Sequence, residues 1–162
     1  MAKSKAKATG AIELLKEQHD KVKKAFKEFE KLDREDTEKQ QQLVQSVCED
    51  LKVHTTLEEE LFYPAAREAI DDEDIMNEAQ VEHETAKMLI EQLENMGPDD
   101  PNFHATFNVL GEYVLHHVKE EEGEMFPQVK KTDLDLEELG ARMRSRMQEL
   151  MGEMEEEENE ES

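Results

Sequence analysis

Two stretches of the chain, HTTLEEELFYP at residues 54–64 and HVKEEEGEMFP at residues 117–127, carry one pattern. In each, His is followed four places later by Glu, nine places later by an aromatic residue and ten places later by Pro. The likeness extends upstream, where EQHDKVK around His19 matches VEHETAK around His83, each with a lysine four residues on, at Lys23 and Lys87. The offsets between matching positions are 63 and 64 residues, so two helix pairs, about residues 11–64 and 75–127, read as copies of one unit. Two such units are expected to pack about a pseudo-two-fold axis, each covering the apolar face of the other.

Apolar residues recur at helical spacing through both copies, and no segment alternates with period two. Four helices are predicted. The first spans about residues 11–32. The second begins at TEKQ, residues 37–40, read as a capping box on Thr37, and Pro64 is expected to kink or interrupt it. The third spans about residues 74–96 and is stopped by NMGP; the fourth follows DDP, carries Phe103, Phe107, Leu110 and Val114, and runs to Pro127. Short connections make this an all-α, up-down-up-down four-helix bundle. Around it the expected organisation is a flexible basic tail at 1–10, the bundle at 11–130, a C-terminal amphipathic helix at 131–154 and a disordered acidic tail at 155–162. The C-terminal segment is rich in methionine, which suits irregular packing.

Residues four apart lie on one face of a helix, one turn from each other. His54 with Glu58, and His117 with Glu121, therefore project an imidazole and a carboxylate side by side, on stripes that face the core. His19 and His83 lie on the matching inward stripes. Two unpaired carboxylates in an apolar core are costly, and so are four unpartnered imidazoles. Two divalent cations resolve both, at two histidines and one carboxylate per metal with positions left open, a set suited to non-haem iron. A structural zinc site is more often closed and four-coordinate. Zinc and manganese also accept these donors. His104 and His116 are read as structural histidines, and Glu59 and Glu60 as solvated.

These motifs together, His19, His54 with Glu58, His83, and His117 with Glu121, followed by EEELFYP and EEGEMFP, resemble the hemerythrin-like family in its HHE cation-binding branch. The resemblance covers about residues 11–130. It implies a four-helix bundle around two iron ions, oxo- or hydroxo-bridged, with Glu58 and Glu121 as bridging carboxylates. Against oxygen-carrying members of the family, Lys87 stands where a further histidine is expected, and the final motif has the shorter spacing His117 to Glu121. His116 with Glu121 reproduces the longer spacing and is the reserve ligand. Tyr113 and Asp50, one turn before His117 and His54, are candidates to support or join the site.

The formal net charge of −23 leaves no basic footprint for nucleic acid. No apolar run reaches the roughly 20 residues that cross a bilayer. With one cysteine, Cys48, no internal disulfide is expected, and a cytoplasmic setting follows. The leading expectation is a non-haem di-iron protein that binds oxygen or a related small oxidant such as peroxide, for sensing, storage or detoxification. Two other readings compete: a di-iron peroxidase or iron oxidase, and a metal-stabilised interaction module that meets a protein partner through its C-terminal helix.

Overall fold

Short acidic side chains cap several of the helices. Asp36 accepts a hydrogen bond from the backbone N–H of Lys39, and Asp72 from that of Ile75, each at 3.2 Å. Both satisfy amides that a first helical turn leaves without partners. The cap of the second helix is thus Asp36, one residue ahead of the expected Thr37. The computed structural model describes residues 10–161 and contains α1 Ala11–Lys31, α2 Thr37–Leu57, α3 Tyr63–Ala69, α4 Glu73–Glu94, α5 Phe103–Glu120, α6 Phe126–Lys130 and α7 Leu136–Glu161. There is no strand among the described residues. None of the described helices is long and apolar enough to cross a membrane.

Pro64 neither ends nor breaks its helix. A turn of π-helix, Glu58–Phe62, joins α2 to α3, and a second, Glu121–Met125, joins α5 to α6. In the first, the N–H of Tyr63 bonds the carbonyl of Glu58; in the second, that of Phe126 bonds the carbonyl of Glu121. Pro64 and Pro127 lack an N–H, and a proline ring collides with the carbonyl four residues back in a regular α-helix. One wide turn absorbs that conflict and lets the rod continue. The bundle is therefore four rods, α1, α2–α3, α4 and α5–α6, and both wide turns begin at a repeated Glu.

Two apolar clusters fill the bundle. One holds Phe29, Val47, Leu51, Ile90, Phe107 and Leu110; the other holds Ile12, Leu15, Leu57, Phe62, Met76 and Phe126. Between them lies a layer of buried histidine and glutamate. In the first cluster α1 approaches α5 closely at Gly111, where an added Cβ would come within 3.0 Å of the Phe26 ring. Alanine would gain up to about 1 kcal/mol of helix propensity over glycine, while forcing a close-packed ring aside costs about 1–3 kcal/mol. Gly111→Ala is expected to destabilise by a net ~1 kcal/mol, read as a lower urea midpoint at unchanged slope.

The fifth rod, α7, packs along α1 and α2 and buries Leu139 and Met143 in the second cluster. Arg146 grips Glu60 with two hydrogen bonds, Nε at 2.9 Å and Nη2 at 3.3 Å. Glu60 is thus paired and not merely solvated. The acidic run expected to be disordered from residue 155 is helical through Glu161. Glutamate is a good helix former, and like charges one turn apart cost only a few tenths of a kcal/mol. A packed helix can therefore extend through the run. Of the basic stretch expected as a tail at 1–10, all but Gly10 lies outside the described residues.

Candidate metal centre

The layer between the clusters is where the repeated residues meet. His19 on α1, His54 on α2, His83 on α4 and His117 on α5 are buried, as are Glu58 and Glu121 at the starts of the π turns. Their donor atoms form two overlapping groups, each within 4.8 Å: His19, His54, Glu58 and Glu121, and Glu58, His83, His117 and Glu121. Both carboxylates belong to both groups. Glu58 Oε1 lies 2.8 Å from His83 Nε2 and 3.4 Å from His54 Nε2. Glu121 approaches His19 Nε2 at 3.1 Å and His117 Nε2 at 3.3 Å. His19 Nε2, Glu58 Oε2 and Glu121 Oε1 are nevertheless buried without a hydrogen-bond partner. Orphaned buried acceptors of this kind are costly unless a cation satisfies them, so the residues present fit a bound metal.

The other nitrogen of every imidazole is held from behind. Nδ1 of His19 bonds Glu122 at 2.7 Å, that of His54 bonds Gln18 Oε1 at 2.6 Å, that of His83 bonds Glu59 at 2.9 Å and that of His117 bonds Glu82 at 2.6 Å. Each acceptor can only receive a proton, so Nδ1 carries the hydrogen and Nε2 faces the centre. Such outer partners fix ring orientation and raise ligand basicity. They obey the repeat: Gln18 and Glu82 precede the first histidine of each copy, while Glu59 and Glu122 follow the inward carboxylates.

Tyr63 breaks the symmetry. Its counterpart is Phe126, whose ring stacks at 6.1 Å on His19. The Tyr63 hydroxyl instead enters the centre, 3.1 Å from Glu58 Oε1, His83 Nε2 and His117 Nε2, and it donates to Glu121. In a regular α-helix, the residue five places after Glu58 would sit about 140° around the axis. The i to i+5 bond of the π turn brings it back over the carboxylate. On the side of the centre facing the first apolar cluster is a cavity of about 30 Å³, bounded by the histidines and by Val22, Leu51, Ala86 and Val114. That volume suits one or two water-sized molecules.

The model of the Hemerythrin HHE cation binding domain matches residues 10–129. The chain belongs to this family. A hemerythrin HHE cation binding domain-containing protein of Mycobacterium kansasii, known from a crystal structure, superposes with a TM-score of 0.75 at 28% identity, over 89% of this chain and 88% of that one. A DNA nickase of Nostoc sp. is 29% identical over 118 residues, 73% of this chain and 33% of the relative, so the chain spans a third of that protein's length. The histidine and glutamate layer is thus the candidate metal centre of an HHE-family helical bundle.

Its electrostatics follow from the packing. Burial alone would strip the imidazoles of their protons, but the carboxylates outweigh it. Glu121 chiefly raises His19, Glu58 raises His83, and Glu121 with Glu58 and Glu82 holds His117 well above the ordinary histidine value. Burial in turn opposes ionisation of Glu58, yet His54, His117 and His83 draw its pKa well below the usual carboxylate value. Glu121 also falls, against burial and the neighbouring Glu58, because of His117 and His19. Burial and both carboxylates push the Tyr63 phenol up, so it keeps its proton. The hemerythrin layer calls for positive charge at its centre, and protons supply it when metal does not.

The remaining candidates lie further out. His116 is exposed and pairs with Glu120 at 3.1 Å, pointing away from the centre. His104 packs on Phe29 at 4.8 Å. Asp50 faces Lys21 at 3.5 Å, and Tyr113 is largely exposed, touching the cavity but neither carboxylate. Glu59, expected to be solvated, holds His83, and Lys87 bonds it at 2.6 Å.

Proposed function

We propose that the chain is a non-haem di-iron protein that binds dioxygen or a related small oxidant, for sensing, storage or detoxification. The His19/His54 half would hold one iron and the His83/His117 half the other, with Glu58 and Glu121 serving both. The observation that carries this reading is the six-donor layer beside a cavity of about 30 Å³, large enough for a diatomic molecule or peroxide and too small for an organic substrate. Two histidines and shared carboxylates leave coordination positions open, which favours iron over a closed zinc site.

Bound there, two ferrous ions would supply a pair of electrons to a small oxidant. The chain's residues do the rest. The four outer acceptors hold each Nε2 toward the centre, the apolar clusters keep bulk water out, and Tyr63 places a proton beside both carboxylates. That hydroxyl favours a second reading over simple reversible carriage: reduction of peroxide to water would draw two electrons from the irons and two protons from solvent, with Tyr63, which stays protonated at rest, as the relay beside both carboxylates. DNA nicking, named for the Nostoc relative, is not carried over: most of that protein has no counterpart in this chain, and a net charge of −23 repels a phosphate backbone.

Anaerobic reconstitution with ferrous iron, then rapid mixing with oxygen or peroxide, tests both readings. Two irons per chain and a new charge-transfer band on oxidation are expected; no band and no change of iron oxidation state would overturn the proposal. Steady consumption of excess peroxide with release of oxygen, a second peroxide returning the two electrons that the first removes, supports the enzymatic reading, and a single stoichiometric oxidation supports binding. If Tyr63 delivers the proton, Tyr63→Phe is expected to load both irons yet react with peroxide about 100-fold or more slowly.

A further inference from the structure

Resting on the two-metal reading above, we propose that Glu82 and Gln18, at matching places behind the two halves, make the halves unequal: the His83/His117 half takes the first divalent cation and the His19/His54 half the second. In each half one imidazole is backed by a carboxylate, His19 by Glu122 and His83 by Glu59. The halves differ at the other imidazole. His117 is backed by the Glu82 carboxylate and His54 by the Gln18 amide, both at 2.6 Å. The geometry is the same and the charge differs by one.

A cation on Nε2 draws electron density from the ring and makes the Nδ1 hydrogen more acidic. An anionic acceptor stabilises that polarised state better than a neutral amide. Gln18 presents Oε1 to His54 while its Nε2 donates to the Met147 sulfur of α7 at 3.6 Å, so turning the amide over would forfeit both contacts. The counter-charges near the first half are weak. Lys87 on Glu59 and His116, 3.7 Å from Glu82, are both exposed, so solvent screens them. The other asymmetry, Tyr63 against Phe126, falls on the same half but contributes a neutral hydroxyl in the metal-free protein.

Titration of the metal-free full chain with Co²⁺, followed by calorimetry and by absorption, tests this. The wild type is expected to bind two equivalents in two steps about 10–100-fold apart, the range typical for outer-partner changes. Glu82→Gln merges the steps by weakening the tight one. Gln18→Glu merges them by tightening the weak one, a gain that damage to the fold cannot produce. Tyr63→Phe leaves two steps. Two equal sites in the wild type, a tight step unmoved by Glu82→Gln, or merged steps in Tyr63→Phe would overturn the proposal. Fewer than two equivalents in the wild type would overturn the two-metal reading itself, and the order of filling with it.

Discussion

Replacing Glu58 with alanine is expected to strip metal from both halves of the centre at once, whereas His54→Ala weakens only one. Glu58 is fully buried, and its carboxylate stands within reach of His54, His83 and His117, so it belongs to both donor groups. Structural metal sites with four ligands bind with about 10–16 kcal/mol, or roughly 2.5–4 kcal/mol per ligand. At 1.4 kcal/mol per decade, one lost ligand weakens a site by about 100–1,000-fold. Glu58→Ala inflicts that loss twice. Metal content after dialysis should fall from two ions per chain toward none, while His54→Ala keeps close to one. The thermal stabilisation that metal confers, about 2.7 kcal/mol at a hundredfold excess over Kd, should vanish in Glu58→Ala. Retention of two ions by that variant would show that the carboxylate does not serve both halves.

The six inward residues were legible because the chain states them twice. In a sequence with 43 acidic residues, one His followed by Glu at the fourth place is unremarkable; the same pair recurring with a matched upstream histidine is not. What stayed hidden depends on distance along the chain or on local irregularity. Glu122 reaches His19 across 103 residues and Glu82 reaches His117 across 35; Glu59 and Glu122 share the 63-residue offset of the repeat, yet within a run of glutamates nothing assigns either to a particular imidazole. Glu59 therefore reads as solvated in sequence. Tyr63 was visible as the aromatic residue of the repeat, yet an ideal helix points it away from Glu58, and the proline that causes the π turn reads in sequence as a kink. The docking of α7 rests on Leu139 and Met143 meeting α1, which an amphipathic pattern permits but does not assign to any particular surface.

The metal-free and metal-loaded forms are expected to respond to pH in opposite ways. In the folded metal-free chain, His19, His83 and His117 titrate above 6.5, because buried carboxylates outweigh the desolvation that would lower them. A raised value means that the folded state holds protons which the unfolded state has released. The resulting stabilisation is complete below pH 6.5 and is lost as pH rises through the raised values. Glu58 and Glu121 titrate below 4.5, so their contribution is present above that pH and lost as pH falls through the depressed values. The metal-free chain should therefore melt highest between about pH 4.5 and 6.5, and its Tm should fall steadily on the alkaline side. Metal needs the imidazoles unprotonated, so its affinity climbs over that alkaline range and its uptake expels protons. The loaded chain should hold its Tm where the chelated chain loses it, and calorimetry near pH 6.5 in buffers of different ionisation enthalpy should register proton release on metal binding. Parallel Tm curves with and without metal would mean that protons and metal do not occupy the same centre, and that the orphaned lone pairs of His19, Glu58 and Glu121 do not meet in a metal site.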